Sequence, residues 1–312
     1  IQDHGSRRGV VDLSQGRDNI PSVDWEGAPG GEGSNHAIDP TNPNIVYSAG
    51  FYGTISRTDI GSGDRASIMP EVSVEEGPLR GQWLAGFILS PHDPNTIYHG
   101  LQYLFKSTDR GENWERISPD LSHGNPQELG DVKYQTIFTV SESPLKQGLI
   151  YVGTDDGRAH VTEDDGANWT EIVEGAAADR WISQMVASKY AEGTVYMTQN
   201  GKRHDDFQVY VWKSTDYGKT WADISANIPY GPVNVIREDP VNKDILYVGT
   251  DVGVYISTNG GKAWSVLGAN LPSVYAHDLI IHPRDNIIVV ATHGRGMWAM
   301  DADPINGGIA KE

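Results

Sequence analysis

Two segments of the chain concentrate side chains that can move protons. Residues 199–207 place Arg203, His204, Asp205 and Asp206 in four consecutive positions, and Asp155 and Asp156 stand together before Gly157. Glycoside hydrolysis requires two carboxylates facing each other across the scissile bond, roughly 5 to 10 Å apart. Asp3, Glu32 and Asp251 are further carboxylates in segments of the same character. A polysaccharide lyase would instead set a His or Tyr base beside an Arg that neutralises a uronate, and His204 with Arg203, or His293 with Arg295, suits that pairing. The candidate catalytic groups are therefore Asp205, Asp206, His204, Asp155 and Asp156. Recognition needs ring faces that stack on sugar or peptide and guanidinium forks that hold carboxylates. Arg180, Trp181, Arg203 and His204 meet that description, as do Trp83, Tyr134, Tyr230, Tyr275, His293 and Arg295.

These side chains need a scaffold, and the sequence supplies one as a repeat. An eight-residue block with the pattern Ser/Thr-x-Asp/Asn-x-Gly-x-x-Trp begins at Ser107, Thr162, Ser214 and Ser257. A second, apolar block precedes each one, and Tyr47, Tyr98, Tyr151, Tyr196, Tyr247 and Val289 mark its copies at intervals of about 42 to 53 residues. That period suits a unit of four short strands, the length of a propeller blade. Residues 233–267 illustrate one unit. Strands are expected at 233–237, 245–249, 253–257 and 263–267, with an Asp-Pro turn between the first two and the block between the last two. No segment holds helical periodicity. The expected architecture is an all-β propeller of four-stranded blades. Residues 1–35 form a partial blade or a closing strand, 36–301 hold six repeats, and 302–312 are a tail. The sixth repeat ends without a fourth strand. Either residues 22–26 complete it, giving six blades, or the amino-terminal residues belong to a seventh; seven is the favoured expectation.

The block has a mechanical explanation. A short Asp or Asn accepts turn amides, Gly takes a positive φ, and Trp buries a large surface. This assigns Asp109, Asp164, Asp216 and Asn259, with Trp114, Trp169, Trp221 and Trp264, to the scaffold. In a four-stranded blade the loops between strands two and three share one end with the crossovers between blades, while the blocks lie at the other. The catalytic and binding candidates above fall in those loops and crossovers. The longest such loop, 199–207, is the leading candidate.

The block resembles the Asp-box (BNR) repeat of sialidases, xyloglucan-degrading glycosidases and sortilin/Vps10 propellers. The stretches 89–98, 105–114, 205–207, 231–240 and 292–298 are similar to the carboxy-terminal half of large bacterial sortilin-like BNR proteins, often labelled glycosyl hydrolases. The resemblance covers nearly the whole chain. It implies an extracytoplasmic protein, a longer parent chain with another propeller, and a fold that hosts both enzymes and binders. The Arg-Ile-Pro segment of sialidases is missing.

Composition narrows the function. The 312 residues carry 24 Lys and Arg against 42 Asp and Glu, a net charge of −18, which repels a phosphate backbone and disfavours nucleic acid as a partner. With no cysteine, thiolate metal sites, disulfides and a Cys nucleophile are excluded. No apolar run approaches the roughly 18 residues of a membrane helix, so direct membrane insertion is not expected. Gly-x-Ser-x-Gly, Walker and His-Glu-x-x-His motifs are absent. His277 and His282, five apart on an expected strand, face opposite sides and share no metal through it. Asp155-Asp156 and Asp164-Asp165 precede Gly as calcium loops do but lack the later ligands. No cofactor or metal is expected, with one structural calcium left open. The reading is a binding or scaffold module that recognises a glycan or another protein. The alternative is a carbohydrate-active enzyme, hydrolase or lyase, with its site in the central funnel.

Overall fold

A computed structural model describes residues 5–16, 19–73, 77–128, 134–268 and 270–305. These residues divide into two compact units. One contains residues 25–174 with the first eight, and the other contains residues 175–312 with residues 9–24.

Among the described residues the first unit holds three four-stranded antiparallel sheets, each with its strands in chain order, besides a two-stranded ribbon. Blade I consists of Asn35–Ile38, Ile45–Ala49, Ile55–Asp59 and Arg65–Ser67. Blade II consists of Phe87–Leu89, Ile97–Gly100, Leu104–Ser107 and Glu115–Arg116. Blade III consists of Ile137–Glu142, Ile150–Thr154, Ala159–Thr162 and Thr170–Glu171. The second unit holds blade IV (Trp181–Ala187, Val195–Asn200, Tyr210–Ser214, Ala222–Asp223) and blade V (Val233–Glu238, Leu246–Thr250, Gly253–Ser257, Ser265–Val266). Blade VI has three strands, Ala276–His282, Ile287–Thr292 and Met297–Asp301. The molecule is all-β, with four-stranded blades of the propeller type. The fourth strands hold only two or three residues, because the chain turns away once the box Trp is seated.

The marker tyrosines are the centre of each blade. Tyr47, Tyr98, Tyr151, Tyr196 and Tyr247 are fully buried, each in the second strand between neighbours that are themselves buried. A buried carboxylate latches adjacent blades. Glu142 of blade III accepts from the Tyr98 hydroxyl (3.1 Å) and Ser90 Oγ of blade II, and from its own blade's Gly148 amide (3.0 Å). Glu238 of blade V repeats the arrangement on blade IV, accepting from Tyr196 (3.3 Å), Ser188 Oγ (2.7 Å) and the Lys189 amide (2.8 Å).

The four recurring blocks form four turns of one geometry. In blade II, Asp109 Oδ1 accepts from Ser107 Oγ (2.8 Å) and the Asn113 amide (2.9 Å), while Ser107 Oγ accepts from the Gly111 amide (2.8 Å). Asp164, Asp216 and Asn259 accept the corresponding bonds in blades III, IV and V. The block also reaches the preceding blade. Trp114 Nε1 donates to Ile68 O, Trp169 Nε1 to Ile117 O and Trp264 Nε1 to Ile224 O, each at 2.8 Å. The block glycine is needed for this approach: Gly166 has φ +95°, and a Cβ there would lie 2.5 Å from Ile117 O.

The preference for seven blades is not supported: six blades are present among the described residues, and the amino-terminal residues contribute only a ribbon. Arg7–Arg8 pairs with Glu26–Gly27, and the Ala28 amide donates to Ser6 O at 3.1 Å. This repeats the join of third to fourth strand in the full blades, where the Ile224 amide donates to Val211 O. Trp25, which precedes the second strand of this ribbon, is exposed.

Candidate functional site

In the first unit the candidate carboxylates are tied down. Asp155 is fully buried in the loop between strands two and three of blade III. Its Oδ1 accepts from the Thr136 amide (2.8 Å), and its Oδ2 from Thr136 Oγ1 (3.1 Å) and Gln82 Nε2. Asp156 accepts from the His123 amide (2.8 Å) and Thr154 Oγ1. Every carboxylate oxygen of the pair thus has a donor within the fold, which suits pinning loops. Trp83 packs its ring 4.1 Å from Phe51 and 5.7 Å from Tyr52, and Tyr134 is half-buried. A shallow, largely apolar cleft of about 490 Å³ opens beside Tyr52, Met69, Val72, Pro78 and Leu79.

Two histidines of this unit are interior. His99 is fully buried with Nε2 2.8 Å from Gly53 O, and burial pushes it down to about 4. His160 is pushed down to about 4 by burial and then by Arg158. Both are neutral core groups at pH 7.

In the second unit the candidates converge. The loop after the second strand of blade IV folds into a 3-10 turn, Lys202–His204, closed by Gly201 O accepting from the His204 (2.8 Å) and Asp206 (3.2 Å) amides. Arg180 Nε donates to Asp206 Oδ2 at 2.7 Å, the Tyr210 hydroxyl to the same oxygen at 2.8 Å, and the Gln208 amide to Oδ1 at 3.1 Å. Burial works against the Asp206 charge, but Arg180 and the other donors outweigh it and hold the carboxyl below its usual range. Asp206 is therefore the loop's anchor. Asp205 and His204 are exposed, and Asp205 adopts a left-handed backbone with φ 53°.

Around this anchor the loop spreads cations and rings. Arg203 lies over the Trp181 ring at 4.2 Å, and Lys202 Nζ lies over the Tyr275 ring at 4.7 Å. Tyr275 in turn neighbours His277 (5.7 Å between rings) and His293 (5.9 Å). At the other end of the loop Phe207 and Tyr230 stand nearly parallel, 11° between planes and 6.4 Å between centroids. They are 47% and 46% exposed, which for two large rings in contact marks a surface open to a ligand. Arg295 and His293 are exposed in the corresponding loop of blade VI, where Arg295 O accepts from Trp298 Nε1 at 3.2 Å. The leading loop 199–207 contains Phe207 and Lys202, though neither is singled out from the sequence, and Tyr210 lies outside it. Phe207 was legible as an aromatic ending a polar loop, whereas the other two depend on contacts only the fold creates.

Among the described residues no three His, Asp or Glu side chains gather as a metal would require. No helix among them is long and apolar enough to cross a membrane.

No known family profile matches the chain, and no curated protein does. Solved structures do. The GH74 xyloglucanase from Xanthomonas campestris aligns with a TM-score of 0.64 and 23% identity over 85% of this chain and 44% of its own. The extracellular domain of the hybrid two-component protein BT3049 from B. thetaiotaomicron aligns at 0.56 and 14% over 85% of this chain and 33% of its own. YCF48, solved bound to D1 peptide, aligns at 0.53 and 17% over 91% of this chain and 87% of its own. The chain thus spans less than half the length of the xyloglucanase. These likenesses establish the propeller fold and, at such identity, nothing finer.

Proposed function

We propose that the chain is a binding module of an extracytoplasmic protein, which recognises a glycan or a protein partner through the loop end of blades IV to VI. The observation that carries this is the exposed Phe207–Tyr230 pair on a loop braced by Arg180, Asp206 and Tyr210. A rigid ring pair beside cations is a recognition surface prepared before the ligand arrives. The block turns support an Asp-box scaffold of the sortilin-like kind, in which Asp109, Asp164, Asp216 and Asn259 hold turns. A longer parent chain with a further propeller belongs to this reading. The net charge of −18 argues against nucleic acid. The test is a glycan array probed with the wild-type chain and with the Phe207→Ala/Tyr230→Ala double variant. Binding lost in the variant supports the reading, and unchanged binding removes this surface from it.

One observation favours the carbohydrate-active alternative. Asp205 is an exposed carboxylate in a strained left-handed conformation, a condition found at functional positions. In that reading Asp205 is an acid or base, and product release from a polysaccharide would fall at least a hundredfold in Asp205→Asn.

A further inference from the structure

Within this acidic chain the loop end of the second unit gathers positive and protonatable groups from three segments distant in sequence. Lys202 comes from blade IV, His277 from the first strand of blade VI and His293 from that blade's next loop; Tyr275 touches all three. Of the acidic groups nearby, Asp278 is paired with Arg237 at 2.8 Å and Asp251 Oδ1 accepts from Asn234 Nδ2 at 2.9 Å, while Asp205, in the loop of Lys202, is exposed. Lys202 of the cationic end and Phe207 of the ring pair belong to one loop, five residues apart, which keeps their Cα atoms within roughly 18 Å of each other.

We infer that this surface is a receptor for a carboxylate-bearing polysaccharide, whose carboxylate lies among Lys202, His277 and His293 while a sugar ring further along the same polymer lies on Phe207 and Tyr230. The inference rests on the proposed reading of this loop end as the binding surface and gives its ligand a chemical class. Ring faces take the apolar side of a pyranose, and the cations distinguish a uronate from a neutral hexose.

A dependence on pH follows. The crowding of chain around His277 lowers its affinity for a proton; Asp278 opposes this, and His293 and Lys202 reinforce it. Asp251 and Tyr275 also lie near this cluster, and Arg203, His204, Asp205 and Arg295 stand in the same two loops as Lys202 and His293. A bound carboxylate reverses the balance, so binding takes up a proton and tightens as pH falls toward 5.5. The polymer's own carboxylates stay ionised there.

The experiment is calorimetric titration of the full chain with polygalacturonate oligomers, their methyl esters, alginate oligomers and polyglutamate, at pH 8 and pH 5.5. The expected result is binding of at least one uronate, about tenfold tighter at pH 5.5 with net proton uptake. Binding is weakened about tenfold in Lys202→Gln and in Tyr230→Ala, and by as much on esterification. Equal, pH-independent binding of ester and acid overturns the carboxylate assignment and leaves the ring surface standing. Polyglutamate bound as tightly as any uronate overturns the glycan. Binding of none of them overturns the inference. If glycan-array or partner binding is also insensitive to Phe207→Ala/Tyr230→Ala, the surface reading falls with it.

Discussion

Glu238 shows how much of the molecule is decided by single buried groups. It accepts hydrogen bonds from a tyrosine, a serine and a backbone amide of the preceding blade, and bonds to a buried charged acceptor are the strong ones. Replacing it by Ala leaves the Tyr196 hydroxyl and the Lys189 amide without that partner. We expect Glu238→Ala to destabilise the second unit by about 2 to 4 kcal/mol, measured as a lowered urea midpoint with an unchanged slope. Asp206 is less deeply buried, part-exposed and paired with Arg180 and Tyr210. Asp206→Asn should change global stability by no more than about 1 kcal/mol. It should speed amide exchange in residues 201–209, read by hydrogen-exchange mass spectrometry. The sequence places Asp155, Asp156, Asp205 and Asp206 together as candidate acids because all four fall in loops between second and third strands. Burial and donors separate them: Asp155 and Asp156 are hydrogen-bonded in the interior, Asp206 is an anchor, and Asp205 is exposed.

At the scale of elements, the turn between the third and fourth strands sets the spacing of one blade from the next. Its glycine sits against the preceding blade's backbone. Gly166→Ala combines a left-handed backbone with a 2.5 Å approach to the Ile117 carbonyl, which cannot move without breaking the blade II edge. We expect a loss of about 3 kcal/mol or more, whereas Ala at Gly175, with φ +88° and open space around it, costs about 1 kcal/mol. Thermal unfolding of the two variants side by side measures the difference. These turns were legible in the sequence because one eight-residue pattern occurs four times. The expected strands of 233–267 also hold, save that the fourth is the two residues Ser265–Val266 rather than five. The pairing of the amino-terminal residues was not legible: nothing in the sequence around Trp25 marks the residues after it as partners of Arg7–Arg8.

For the whole molecule, acid sensitivity follows from the interior histidines. His99 and His160 have folded-state proton affinities pushed down to about 4, well below an unfolded imidazole. The unfolded chain therefore binds more protons, and stability falls as pH drops from about 6.5 toward 4, by on the order of 3 kcal/mol for each at the end of that window. Urea midpoints of the first unit at pH 7, 5.5 and 4.5 should fall in that order, and His99→Gln should flatten the slope. The same fold has room for enzymes and for receptors, so the proposed function rests on the loop end of blades IV to VI. Lys202 and Tyr275 are 73 residues apart in sequence, and their meeting is a product of the blade order rather than of any local motif. The most direct measurement is the binding of the wild-type chain and of the Phe207→Ala/Tyr230→Ala variant to a glycan array, with circular dichroism to confirm equal folding. The account predicts that the wild type binds a defined set of glycans and that the variant loses them. Equal binding by both proteins would contradict it.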